Sequence, residues 1–417
     1  MNPKNVCSFC QKDNLKVEKL IAGKNASICN ECLELALEAL KQEKNEANID
    51  EDFWDISPKF LKNEFDKFVI GQEDAKKQLA VVVSNHYKRL LFQSSDVLQE
   101  GKVNLLMIGP TSSGKTLLLK VLQKLFSKKG IPIAFSDATT LTEAGYVGED
   151  VETMLLRLLQ ECDFNVEKAQ KGIIFIDEID KIATKNSAGS LSRDVSGEGV
   201  QHALLGILQG KIANVTPGSK KSIGQETIQI DTSDILFICA GAFSGLEKII
   251  DNRTNISSIG LHAQIKEKND LKTYSNVETE DLIKYGMIPE FVGRLPSVVT
   301  LQELSKEQLI NVLTKPDNAI IKQYQQLFKC SNCELIFTDE ALDEIATLTL
   351  KKKISTRGLK GVIEKILTET MFELETLKPC KVVVTRESVR TNKVEIQHVN
   401  DGFIETLEDT KSSKIFR

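Results

Sequence analysis

Apolar residues along this 417-residue chain change their spacing from one region to the next, and each spacing predicts a different kind of structure. In residues 1–42 they are sparse until Leu33, Leu37 and Leu40, whose spacing predicts a helix over Glu31–Leu40. Charged and amide residues then crowd the segment 43–59, which reads as a flexible linker. From 60 to 300 the short apolar runs Val103–Ile108, Ile131–Phe135, Ile173–Ile176 and Ile235–Cys239 alternate with helical patterns. Strands separated by helices predict an α/β domain, a parallel sheet covered on both faces. From 301 to 400 the helical spacing dominates, as in Leu309, Ile310 and Leu313 and again in Leu342, Ile345 and Leu348. This predicts a smaller, mostly helical domain, with Val382–Val384 and Val394–Ile396 pairing as two short strands. Residues 401–417 are polar and read as a frayed tail.

Composition adds little to this outline but narrows the function. The chain carries 54 basic and 59 acidic side chains, a net charge of −5, with no basic stripe of the sort a nucleic-acid partner calls for. No apolar run is long enough to span a bilayer, and the N-terminus lacks a basic-then-apolar signal pattern. The expectation is a cytoplasmic protein with no membrane or nucleic-acid partner. In that compartment paired cysteines mean metal before they mean disulfide.

Two motifs carry chemistry in the α/β region. Gly109-Pro110-Thr111-Ser112-Ser113-Gly114-Lys115-Thr116 lies between an apolar strand and the helical pattern Leu117–Phe126. Such a loop converges backbone N–H groups on phosphate oxygens, with the helix N-terminus behind them. Lys115 would reach the β- and γ-phosphates of ATP, and the Thr116 hydroxyl would hold Mg²⁺. The second motif is Ile173-Ile174-Phe175-Ile176-Asp177-Glu178, two acids at the end of a buried strand. Burying charge without a partner is costly, so the pair needs a purpose. Asp177 suits the metal, and Glu178 suits orienting and deprotonating a water, which points to an ATPase and not a kinase.

The N-terminal segment has its own signature. Cys7-x2-Cys10 and Cys29-x2-Cys32 are spaced as a four-thiolate structural Zn²⁺ site, closed to catalysis. Cys330-x2-Cys333 mimics half of such a site and, with no second pair nearby, reads as a coincidence on a loop. His86, His202, His262 and His398 match no metal spacing.

The cysteine finger, the Gly-Pro-Thr-x-x-Gly-Lys-Thr loop, Gly145-Tyr146-Val147-Gly148 and Ile176-Asp177-Glu178-Ile179-Asp180, in this order, are similar to the ClpX family of AAA+ unfoldases. The resemblance runs from about residue 5 to 400. It implies a homohexamer that threads tagged or unfolded proteins, some brought by adaptors, through a central pore to the ClpP peptidase. By the same resemblance Val69 and Ile70, in Phe68–Gln72, pack on adenine. Arg294, in Gly293-Arg294-Leu295-Pro296, is the arginine finger for a neighbouring subunit's ATP, and Arg357, in Thr356–Leu359, is the second sensor. Tyr146 and Val147 match the substrate-gripping pore loop, and Arg193 opens a second one, Arg193–Gly199. Ile259-Gly260-Leu261 occupies the place of the peptidase-docking tripeptide. The chain departs from the family at Lys220-Lys221-Ser222, where the pattern is Arg-Lys-His, and at Ser112, where glycine is usual. The strand Ile235–Cys239 ends in Ala240-Gly241, so no first-sensor residue is assigned. Two rival readings are a nucleic-acid translocase, which calls for basic pore loops, and an ATP-binding zinc scaffold, which needs neither Glu178 nor Arg294.

Overall fold

The computed structural model describes residues 6–13, 16–23, 26–37, 56–91, 102–142, 149–184, 197–217, 227–256, 273–352, 356–376 and 379–398. The chain divides into two compact units, Met1–Ser57 and Pro58–Arg417. In the first unit β1 (Leu20–Ala22) and β2 (Ser27–Cys29) form an antiparallel hairpin, with Leu20 opposite Cys29, followed by a helical run at 30–37 (α1).

The second unit opens with α2 (Pro58–Phe68), starting just inside the segment assigned above to a linker. Proline suits a first helical position because its missing N–H has no partner there anyway. α3 (Glu73–Leu91) buries Ala75, Leu79, Ala80, Val83 and Tyr87. The main sheet comprises β3 (Leu105–Ile108), β4 (Ile133–Asp137), β7 (Ile173–Asp177), β10 (Leu236–Gly241) and β11 (Ser297–Thr300). Its order is β11-β3-β10-β7-β4, and every pairing is parallel. The four apolar runs of the sequence are therefore strands; the fifth strand, β11, went unpredicted because Ser297-Val298-Val299-Thr300 is short and only half apolar. All six residues of the central strand β10 are buried, as expected where helices cover both faces of a parallel sheet. Alternate residues Leu106, Ile108, Ile174, Ile176, Phe237 and Cys239 join one core. That core also takes side chains from α5 (Thr153–Gln160), α7 (Glu198–Gln209), α8 (Leu246–Ile256), α9 (Thr279–Tyr285) and α10 (Pro289–Gly293). Between these run α4 (Lys115–Ser127), α6 (Val166–Gln170) and the short pairs β5–β6 (Leu141–Thr142, Glu149–Asp150) and β8–β9 (Ile212–Val215, Ile228–Asp231).

A second core is built by α11 (Lys306–Thr314), α12 (Ile320–Cys330), α13 (Asp339–Lys351) and α14 (Thr356–Glu373), packed with β12 (Cys333–Phe337), β13 (Cys380–Val384), α15 (Arg386–Thr391) and β14 (Glu395–His398). The expected pairing is present, with Val382 opposite Ile396, but β12 adds a parallel third strand on the other side of β13. The loop expected at Cys330-x2-Cys333 is corrected by this strand. Cys330 closes α12, whose apolar face Ile321, Tyr324 and Phe328 reaches that far, and Cys333 begins β12, buried opposite Cys380. Among the described residues no helix is long and apolar enough to cross a membrane.

Candidate functional site: a phosphate loop, an acid pair and a cysteine cluster

The phosphate loop follows from how β3 must end. Gly109 leaves the strand where an added Cβ would lie 2.8 Å from both Leu301 Cβ and Leu301 O, so no larger residue fits. Its N–H bonds Gly241 O at the end of β10, 3.3 Å away, which ties the loop to the sheet's central strand. Gly114 closes the loop at φ 108° and caps α4, whose first residue is Lys115. Ser112 holds φ 66°, a left-handed conformation that glycine adopts without the penalty a Cβ brings. Lys115 is 8% exposed and its Nζ donates to Gly109 O at 2.5 Å and Pro110 O at 3.0 Å. The buried hydroxyls Ser112 Oγ and Ser113 Oγ have no hydrogen-bond partner among the described residues. A cation and orphaned donors at a helix N-terminus are the donor set that a polyphosphate satisfies.

The acid pair stands opposite. Asp177 ends β7, and its Oδ2 accepts from Thr116 Oγ1 at 3.0 Å, so the two candidate Mg²⁺ groups meet across the strand gap. Glu178 follows at φ 55° with an exposed side chain, and its N–H donates to Asp177 Oδ1 at 3.0 Å. This turn takes the second carboxylate out of the strand line and leaves it exposed. Asp180, the third acid of the motif, is 5% exposed and accepts the Ala242 N–H at 3.0 Å, pinning the turn after β10. A third acid in an otherwise apolar run was the signal for it.

Two further segments converge on the loop. Val69 Cγ1 is the atom nearest to a Cβ added at Gly114, at 3.7 Å. The Val69 carbonyl is held at 3.3 Å by Nζ of buried Lys76, which also pairs with Asp66 and Glu73. Gln72 Nε2 donates to Ser113 O at 3.3 Å and Gln302 O at 2.8 Å, and Gln72 Oε1 accepts from Gln302 N. The segment containing Val69 and Ile70 therefore lies against the phosphate loop. From the other side Thr356 Oγ1, on the first residue of α14, donates to Ser112 O at 3.0 Å. Arg357 follows in the same helical turn; its side chain lies outside the described residues.

Arg294 is not brought to this loop. It is exposed and precedes β11, whose Ser297 is opposite Leu105 at the start of β3, whereas Gly109 follows the end of β3. From Asn104, whose Nδ2 bonds Arg294 O, to Gly109 the strand rises about 16 Å. Tyr146, Val147, Arg193, Ile259, Gly260 and Leu261 lie outside the described residues, as do Lys220-Lys221-Ser222 and the tail 401–417.

In the N-terminal unit the sulfurs of Cys7, Cys10, Cys29 and Cys32 all lie within 4.8 Å of one another. The Cys29 N–H points at Cys7 Sγ (3.3 Å) and the Cys32 N–H at Cys29 Sγ (3.4 Å). The Cys10 backbone N–H leads in holding the Cys7 thiol down to about 6, while hydrogen bonding to Cys10 pushes Cys32 up to about 12. Four converging sulfurs with amide support fit tetrahedral Zn²⁺. Of the histidines, His86 is buried and His202 is exposed beside Glu198.

Comparison with known proteins agrees with this geometry. Residues 5–42 match the ClpX C4-type zinc finger, residues 100–298 the AAA domain (Cdc48 subfamily), and residues 304–379 the C-terminal, D2-small domain of ClpB protein. The ATP-dependent Clp protease ATP-binding subunits ClpX of Borrelia duttonii (strain Ly) and Borrelia recurrentis (strain A1) are each 46% identical over 418 residues, covering 97% of this chain and 97% of theirs. The protein accordingly belongs to the ClpX family: it is an AAA+ ATPase, not itself a peptidase, that uses ATP and Mg²⁺ and carries a four-cysteine Zn²⁺ site.

Proposed function

We propose that the protein works as a homohexameric unfoldase that threads tagged or adaptor-delivered proteins through its pore into the ClpP peptidase in the cytoplasm. The division of labour is a zinc module (1–42), a linker (43–59), a large ATPase domain (60–300), a small domain (301–400) and a tail (401–417). Lys115 and the N–H groups of Gly109–Thr116 hold the phosphates, and Thr116 and Asp177 hold Mg²⁺, which neutralises charge on the transferred phosphoryl group. Glu178 orients the attacking water and accepts its proton. Val69 and Ile70 receive the adenine. Arg357 senses phosphate from α14, so hydrolysis can swing the small domain against the large one. Tyr146 and Val147, with Arg193, grip the polypeptide, and Ile259-Gly260-Leu261 docks on the peptidase with Leu261 in an apolar pocket.

The observation that carries this reading is the separation of Arg294 from its own phosphate loop along β3. With the family resemblance at Gly293–Pro296, an exposed arginine so placed is read as serving a neighbouring copy's ATP, and a finger given in trans requires a ring. Such fingers are worth about 10³–10⁵ in rate.

The test follows the fluorescence of a stable tagged fluorescent protein with the ClpP peptidase present, so that refolding cannot hide unfolding. Wild type should extinguish fluorescence only with ATP, whereas Glu178→Gln and Tyr146→Ala should leave it intact. ATP turnover by wild type without loss of fluorescence, across a panel of tags and adaptors, would sink the unfoldase reading. Turnover retained in Glu178→Gln would sink the assigned chemistry.

A further inference from the structure

Helix α10 is a single short helix, Pro289–Gly293, with Ile288 as N-cap and Arg294 as C-cap. A helix this short has no stability of its own, so the packing of Phe291 and Val292 in the core and whatever holds its ends together set where Arg294 points. Both ends are held by buried side-chain amides. At the start, Gln201 on α7, fully buried, accepts the Ile288 N–H on Oε1 at 2.8 Å. Its Nε2 donates to Ile182 O at 2.8 Å and Gly286 O at 3.3 Å. At the end, Asn104, 1% exposed, donates from Nδ2 to Arg294 O at 3.0 Å and to Leu208 O at 3.2 Å, and accepts the Phe237 N–H on Oδ1 at 3.4 Å.

The chemistry explains the residue type. Each site presents one N–H and two carbonyls, and an amide is the uncharged side chain that supplies one acceptor and two donors together. Both clamps also run through α7, since Gln201 is one of its residues and Leu208 O is one of its last carbonyls. Gln201 further reaches Ile182 O, at the end of the turn that follows Asp177-Glu178.

We propose that Gln201 and Asn104 are positioning residues for Arg294, a pair of amide clamps that fix α10 at both ends. Through Gln201 the clamp joins a subunit's own acid-bearing turn to the helix that presents its arginine to the next subunit. This rests on the reading of Arg294 as a finger.

The test is a double-mutant cycle on the full-length assembled ATPase, with kcat and the KM for ATP measured for Asn104→Ala, Arg294→Ala and the double variant. Misplacement of a reacting group by about 1 Å lowers rate by roughly 100-fold. Asn104→Ala should therefore lower kcat by about 10- to 100-fold with KM changed less than about threefold, and add no further loss to Arg294→Ala. Equal losses in both backgrounds would overturn the clamp and leave the finger standing. Wild-type kcat in Arg294→Ala would overturn the finger and the clamp with it. Should Asn104→Ala fold poorly, Gln201→Met, of similar length, removes both the acceptor for Ile288 N–H and the two donors. Amide hydrogen exchange at 288–294 should then rise at least about tenfold while β3 and β10 stay protected, and unchanged exchange there would refute the clamp.

Discussion

The N-terminal unit and the ATPase unit fix a functional site by opposite means. Among the described residues of 6–37 only Cys7, Ser27 and Cys29 are buried, while Phe9 is 71% exposed and Leu35 65%. The described residues there form no buried apolar cluster, which leaves the metal to supply most of the order. In the ATPase unit β10 is buried throughout, and the phosphate loop, the acid pair and α10 hang from the ends of a packed parallel sheet. One site is a handful of residues around an ion; the other is a set of loop ends whose spacing is set by the sheet between them.

The largest effect expected from this contrast is zinc removal. Stripping the metal, or replacing Cys29 by Ser, should remove on the order of 10–16 kcal/mol of folding free energy from the N-terminal unit. Hydrogen exchange over 6–37 should become unprotected while the melting of the ATPase unit stays put. Persistent protection without metal would break the comparison. The next effect is in the core: Phe175→Ala, at a fully buried position of β7, should destabilise the ATPase unit by about 3–5 kcal/mol. Phe9→Ala should change the zinc unit by less than about 0.5 kcal/mol, measured by denaturant unfolding of both variants. A Phe9 effect as large as that of Phe175 would show a hidden core in the small unit.

A smaller effect than that of Phe175→Ala is a pH dependence that a core imposes. Burial, with Arg89 and Lys102 nearby, lowers the His86 pKa from 6.5 to about 3. Between those values the unfolded chain binds a proton that the folded chain refuses, so stability is lost as pH falls below about 6.5. The ATPase unit should lose about 1 kcal/mol between pH 6 and pH 5 from this group, and His86→Phe should flatten that slope. An unchanged slope in the variant would assign the acid sensitivity elsewhere.

How much could be read without the fold depended on the range of the interaction. Cys7-x2-Cys10 with Cys29-x2-Cys32, and Gly109–Thr116, are contiguous or nearly so because one turn of backbone must meet one ligand, and local spacing is written in sequence. Four of the five main strands were visible as apolar runs for the same reason, while β11 and β12 were hidden because pairing with a neighbour, not composition, makes them strands. The loop assigned to Cys330–Cys333 failed on that point. Asn104 and Gln201 looked like ordinary polar residues, and the roles of Gln72 and Asp180 were hidden inside their motifs, since the partners lie up to 230 residues away.

The sequence by itself determined the chemistry available to this protein: four thiolates, a phosphate loop with its lysine, two acids at a strand end and a lone arginine in a Gly-Arg-Leu-Pro turn. Only the tertiary structure decided which of these share a site. Parallel register puts Thr116 beside Asp177 and carries Arg294 to the opposite end of β3, because neighbouring strands that run the same way collect their carboxyl ends on one edge and their starts on the other.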